Sequence, residues 1–157
     1  MMVKRAIILI SCLLFALLVA GCGGGKKEEE TNAAGLTDGI YTVDVDTGSN
    51  MFHVNEAMHG KGTLTVANGE MTVHITLASK SIVNAFYGTS EEAQADGAKL
   101  IEPTVDQVTY DDGITDEAYG FDFPVPAIGE PFDVSIIGTH GNWYTHPMTV
   151  TNPVKTE

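Results

Sequence analysis

Residues 62–78, GTLTVANGEMTVHITLA, confine the chain to one kind of fold. Leu64 and Val66 alternate with threonines. After Asn68-Gly69, Met71, Val73, Ile75 and Leu77 alternate with Thr72, His74 and Thr76. A period of two gathers the apolar side chains on one face of a strand, whereas on a helix it would scatter them around the axis. Asn-Gly suits a two-residue hairpin turn, because both central positions of such a turn need positive φ. The stretch predicts a β-hairpin with one buried face.

The same period recurs along the chain. Tyr41, Val43 and Val45 alternate with Thr42 and Asp44, and 82–87 reads as another strand. Val105 to Tyr110 is a strand turned by Asp111-Asp112-Gly113. Tyr119, Phe121, Phe123 and Val125 alternate until Pro124 and Pro126 end the run. Phe132, Val134 and Ile136 form one more strand, and Tyr144, His146, Met148 and Val150 share a face of the last. Thr89-Ser90-Glu91-Glu92 has the form of a capping box and Gly97 supplies a stop, which leaves room for at most two turns of helix. Short strands separated by turn signals, with one short helix, predict an all-β fold, an antiparallel β-sandwich.

The N-terminus follows a different logic. Lys4 and Arg5 precede an apolar run from Ala6 to Val19, too short to cross a bilayer as an ordinary helix but of signal-peptide length. The run ends in Val19-Ala20-Gly21-Cys22, which resembles the lipobox of bacterial lipoproteins. That resemblance implies cleavage before Cys22, a diacylglyceryl group on its sulfur, and an extracytoplasmic protein anchored by lipid to the bacterial cell membrane. Residues 1–21 are then the signal peptide. Residues 22–35 are the lipidated cysteine and a flexible linker of glycine, charged and small polar residues. Residues 36–157 form the domain.

Charge and cysteine content narrow the partners. Loss of Lys4 and Arg5 leaves 6 basic residues against 21 acidic ones, a mature net charge of −15. Such a surface repels phosphate backbones, so nucleic acid is excluded as a partner, and the lipid on Cys22 has to hold the protein at the membrane. With Cys12 in the signal and Cys22 lipidated, the folded domain has no disulfide, thiolate metal site or thiol nucleophile.

Two segments carry more chemistry than a core requires. One runs from Ser49 through Met51, Phe52 and His53 to Glu56, Met58 and His59. The other runs from Thr139 through His140, Trp143, Tyr144 and His146 to Met148. Imidazole, thioether and phenol donors beside aromatics suit a haem or transition-metal site, and equally suit sandwich ends with histidines in exposed loops. His53, Glu56 and His59 match no established zinc spacing. The acidic run from Asp111 to Glu117 lacks the alternating ligand order of a calcium loop. No nucleophile elbow, phosphate loop or acid/base pair is visible, so an enzyme is not expected.

The order DGIYTVDV, a short Ser-Met-Phe segment, GTLTVANGEMTVHITL, FPVPAIGEPFDVSIIG and WYTHPMTV resembles the NEAT domains of bacterial cell-surface haem uptake. The resemblance spans roughly residues 37–153 and implies an immunoglobulin-like sandwich. It also implies a haem site between a short helix after the first strand and the final strand pair. The family's final strand carries Tyr-x-x-x-Tyr, whose first tyrosine ligates iron. That position is Tyr144 here, while the second is Met148, which departs from the motif. Met148 paired with Met51 or Met58 is the alternative ligand set. Met51, Phe52, Met58, Trp143, Tyr144, His146 and Met148 are thus the implied ligand-binding residues, with Tyr144 and Met148 facing the iron. The expectation is a non-catalytic lipoprotein that takes haem in iron acquisition, with haem or a haem-transfer protein as its partner. The alternative is an interaction or adhesion module without a cofactor.

Overall fold

The computed structural model describes residues 31–156. The expected signal peptide, Cys22 and the first part of the expected linker lie outside the described residues. Eight strands follow in order: β1 (Gly39–Asp46), β2 (Lys61–Ala67), β3 (Glu70–Leu77), β4 (Ile82–Tyr87), β5 (Thr104–Thr109), β6 (Thr115–Pro124), β7 (Phe132–Gly138) and β8 (Trp143–Lys155). One helix, α1 (Ser90–Ala93), and a 3-10 turn at Glu56–Met58 complete the list of elements. Every pairing is antiparallel.

The fold is an all-β sandwich built from one continuous sheet, ordered β4-β7-β8-β1-β2-β3-β6-β5. β8 makes this possible. Its first half, from Trp143 to Met148, pairs with β7, and its second half, from Thr149 to Lys155, pairs with β1. The sheet curls so that β4 comes to lie against β6. Val43, Val150, Leu64, Val73, Ile75, Phe121 and Phe123 from one side meet Val134 and Met148 from the other, all 1% exposed or less.

The hairpin stands where the alternation places it. Ala67 pairs with Glu70, and Asn68 and Gly69 take φ of 52° and 79°. The Asp38 carboxylate accepts hydrogen bonds from both turn amides, at 2.9 and 3.3 Å. A β-branched residue at Gly69 would be forced into a backbone region it strongly disfavours. Gly69→Val should cost on the order of 1 kcal/mol or more. A thermal melt unchanged by this substitution would show that the turn tolerates another geometry.

The capping box also forms. Thr89 Oγ1 accepts the Glu92 N–H at 3.3 Å, and the Glu92 carboxylate accepts the Thr89 N–H at 2.8 Å. The Thr89 amide, and after it the hydroxyl, hold that carboxyl below the usual glutamate range. α1 is a single turn docked through hydroxyls. The Ser90 N–H donates to Thr145 Oγ1 at 2.8 Å, and the buried Ser135 hydroxyl lies 3.0 Å from the same atom.

Two features lie outside the alternating stretches. Before β1, Thr31 bridges Thr37, and Asn32 Oδ1 accepts the N–H groups of Ala34 and Leu36. This asparagine-nucleated turn folds the end of the linker back onto the sandwich. β8 also runs on past Val150 to Lys155. Asn152, at φ 52°, forms a bulge that shifts the register with β1, and its amide donates to Asp44 at 2.7 Å. The bulge lets the strand pass Pro153.

Candidate functional site

The alternation of β8 sets out a stripe that runs from solvent into the core. Tyr144 lies opposite Ile136 on β7, His146 opposite Val134, and Met148 opposite Phe132. Directly opposed residues share a face, so these six side chains line one surface. Tyr144 is 58% exposed and Met148 is 0% exposed, with His146 half-buried between them.

A strap crosses this stripe where the chain leaves β1. Gly48, at φ 59°, passes so close to Pro147 that a Cβ there would stand 2.9 Å from its ring, a position only glycine fills. The buried Thr47 hydroxyl donates to the Phe52 carbonyl at 2.6 Å. This turns Phe52 inward, where it is 5% exposed and lies against His146 with ring centroids 5.0 Å apart. The far end of the strap is pinned by Asn55, 1% exposed and left-handed at φ 53°, whose Oδ1 accepts the Thr76 N–H at 2.7 Å. Between the two anchors Met51 stands 93% exposed.

Beneath the strap is a cavity of about 230 Å³. Met51, Phe52 and His53 form its roof, with Leu77 at the end of β3, Ile82 on β4 and Ile136 on β7 forming apolar walls. Ser79, Ser81 and Glu56 bring the polar groups. Burial holds the His146 imidazole below the usual histidine range, so the ring facing Phe52 is neutral around pH 7. A larger depression of about 540 Å³ lies around Lys80, Gln107, Asp116 and Glu117, and its polar lining suits water better than an apolar ligand. A third, of about 340 Å³, lies at the opposite end of the sandwich beside Met71, Tyr87 and Pro124. The strap cavity is the smallest of the three, but it gathers Met51, Phe52, His53 and Glu56 from the first of the two segments singled out in the sequence.

The structure thus sets Met51 and Phe52 around the cavity and Phe52 against His146, while Tyr144 and His146 share a face with the cavity wall Ile136 without lining the cavity themselves. Trp143 pairs with Ile137 and, as the neighbour of Tyr144 on a strand, falls on the opposite face. Met58 closes the 3-10 turn, 42% exposed, and does not line the cavity. Met148 is a core residue. Its thioether would have to leave the sandwich to meet a ligand at the surface, so the structure gives no support to a sulfur ligand from this position. The short helix implied after β1 is only the 3-10 turn, and Met51 and Phe52 precede it in irregular backbone. His59 pairs with Asp111 at 3.4 Å, and no group of three His, Cys, Asp or Glu side chains among the described residues is placed to hold a metal ion. Leu77, Ser79, Ser81, Ile82 and Ile136 join the site unannounced. In sequence they read as strand ends and a turn, and only the curl of the sheet brings them under the strap.

No protein-family model matches the sequence, and no curated protein matches it. Among solved structures, the chain is similar to a mutant of IsdX2-NEAT5 in complex with heme, at 16% identity and a TM-score of 0.47, over 77% of this chain and 100% of that one.

Proposed function

We propose that this protein is a lipid-anchored surface lipoprotein whose sandwich binds haem, without catalysis, in iron acquisition. The observation that carries the reading is an exposed phenol, Tyr144, set beside an apolar cleft under a strap. Most tyrosines this exposed stand on polar surface. Tyr144 instead shares its face with Ile136, a wall of the cavity, and with the neutral His146 under Phe52.

The residues present fit the group. A porphyrin offers two flat apolar faces, which Ile136, Ile82, Phe52 and Met51 are suited to cover, and haem supplies an iron centre able to take an oxygen ligand. Tyr144 would provide that oxygen. Phe52 and Ile136 would keep water from it, and His146 would fill the space beneath without bringing a charge. The cavity is smaller than the usual range of about 300–1,000 Å³ for small-molecule sites, so a ligand of this size needs the strap to yield. The backbone of Gly48, at φ 59°, is the natural place for that movement.

Titrating the purified protein with hemin tests the reading. A saturable shift of the Soret band is expected. If hemin gives no saturable change, the interaction-module reading replaces it, with the exposed Met51 as the residue a protein partner would bury.

The anchor has its own test. Cys22→Ala removes the only sulfur at the cleavage site, so the variant is expected to leave the membrane fraction while the domain keeps its melting temperature. Full retention in the membrane with normal signal processing would overturn the lipid anchor. The geometry favours such an attachment. The domain's N-terminal end lies beside the end of β8, where Tyr41 pairs with Lys155, and Tyr144 lies at the other end of that strand. At about 3.3 Å per residue the separation along the strand is roughly 35 Å, so a tethered domain can present the cleft away from the bilayer.

A further inference from the structure

The turn between β2 and β3 carries a reactive dipeptide. Among the asparagines, only Asn68 is followed by glycine. Glycine has no side chain to shield its nitrogen, so the Gly69 amide can approach the side-chain carbon of Asn68. Asn50 and Asn142 are followed by methionine and tryptophan, which crowd the same approach. Both turn residues are exposed. Cyclisation follows from this pairing. Once hydroxide removes its proton, the Gly69 nitrogen bonds to Cγ of Asn68, and the side-chain nitrogen takes a proton from water and leaves as ammonia. Water then opens one of the two C–N bonds of the succinimide, which leaves aspartate or isoaspartate at position 68. Water is the only co-reactant, and nothing is oxidised or reduced. The Asp-Gly pairs at 38–39 and 112–113 react less readily by this route, because an ionised carboxylate is a poorer electrophile than an amide.

The fold restrains the nucleophile. Asp38, one residue before β1, accepts the Asn68 N–H through Oδ2 at 2.9 Å and the Gly69 N–H through Oδ1 at 3.3 Å. The Gly69 nitrogen can attack only after losing the proton that points at Asp38. The amide anion so formed would stand beside a carboxylate, and a like charge at that distance disfavours it. Lys155 donates to the neighbouring Thr37 hydroxyl, and among the described residues no lysine or arginine pairs with Asp38. Positive φ at both positions also fixes the peptide plane between Asn68 and Gly69, which ring closure has to rotate out of the turn.

We propose that Asn68-Gly69 is a site of spontaneous backbone modification, through a succinimide to isoaspartate, and that Asp38 guards it by holding the Gly69 N–H. The guard is a contact between the start of β1 and the β2–β3 turn, so it lasts only while that end of the sandwich is closed. Either product spoils the turn. Isoaspartate lengthens the backbone at the tip of a hairpin whose register is set by Ala67 opposite Glu70, and aspartate brings a second carboxylate beside Asp38. The proposal is independent of the porphyrin reading, since Gly69 lines the depression at the opposite end of the sandwich from Tyr144.

The test holds the purified protein, its Asp38→Ala and Asp38→Glu variants and a free peptide of residues 65–71 in mildly alkaline buffer. Isoaspartate is counted by position over time, by peptide mass spectrometry and isoaspartyl methylation. The wild type is expected to form isoaspartate at 68 at least about tenfold more slowly than the peptide, the equivalent of one hydrogen bond to a charged group. Asp38→Ala should move toward the peptide's rate, and Asp38→Glu, which keeps the charge, should stay nearer the wild type. Hydrogen exchange under the same conditions separates a released turn from a loosened fold. In Asp38→Ala the Gly69 amide should exchange faster while the core amides of β3 keep their protection. Equal loss of protection along β3 overturns the guard, because Asp38 then merely supports the sandwich. A wild type as fast as the peptide, or Asp38→Ala as slow as the wild type, also overturns it. Isoaspartate appearing at Asn142 as fast as at Asn68 in Asp38→Ala overturns the choice of site.

Discussion

Replacing Tyr144 with alanine should abolish the hemin-induced Soret shift and weaken binding by at least about 100-fold, since even losing a group that supports a metal ligand costs 10–100-fold. Tyr144 is 58% exposed and takes no part in the core, so the melting temperature should barely move. Tyr144→Phe sharpens the test. It keeps the ring against Ile136 and removes only the oxygen, so an oxygen ligand predicts that it fails almost as completely as alanine. If Tyr144→Phe binds hemin with the wild-type spectrum, the phenol is packing and not ligation. Met148→Ala should behave in the opposite way. Its side chain is wholly buried, so the substitution should lower the melting temperature first and disturb the ligand spectrum only through a loosened core.

Phe121→Ala should destabilise the domain by about 3–5 kcal/mol, the range for truncating a buried phenylalanine. Phe121 is 1% exposed in the middle of β6, opposite Ile75 on β3, where the two layers face each other. Both cysteines, Cys12 and Cys22, precede the sandwich, so no disulfide cross-links it. Against a total stability of about 5–15 kcal/mol for an ordinary domain, the loss is a large fraction. In urea the midpoint should fall sharply. Val105→Ala is the control. Val105 lies on the edge strand β5 and is 58% exposed, so its truncation should stay within about 0.5 kcal/mol. Comparable losses at both positions would mean that the core does not sit between β6 and β7.

Strand positions were legible in the sequence because one physical rule governs them. Met71, Val73 and Ile75 point inward because a period of two leaves them no other common face, and Asn68-Gly69 turns the chain because few other dipeptides tolerate that geometry. The rule speaks of faces and not of neighbours. It placed Tyr144, His146 and Met148 on one face but could not say that the stripe runs from solvent to core, which separates an available phenol from a buried thioether. That depends on where β8 leaves the cover of the opposite layer. Trp143 was drawn toward the site by its chemistry, although the same alternation puts it on the other face from Tyr144. The strap carries no periodicity at all. Gly48, Phe52 and Asn55 owe their placement to Pro147, His146 and Thr76, each distant in sequence.

The double pairing of β8 bears on how the domain comes into being. β1, the first strand made, sits in the middle of the sheet between β2 and β8, and β8 is the last strand made. A chain delivered from its N-terminus can form the local hairpin of β2 and β3 early. It cannot join the two layers until the final thirteen-residue strand arrives. Pairing between the two ends of a domain is also the slow kind, since a long loop has to close before any contact rewards it. Until then the apolar faces of β1 and β7 have no permanent cover, which exposes the nascent chain to aggregation. The same delay keeps the chain threadable. In the lipid-anchored reading proposed above, a chain that cannot lock before its last strand appears is suited to export in an unfolded form, and truncation within β8 should leave it without a closed core.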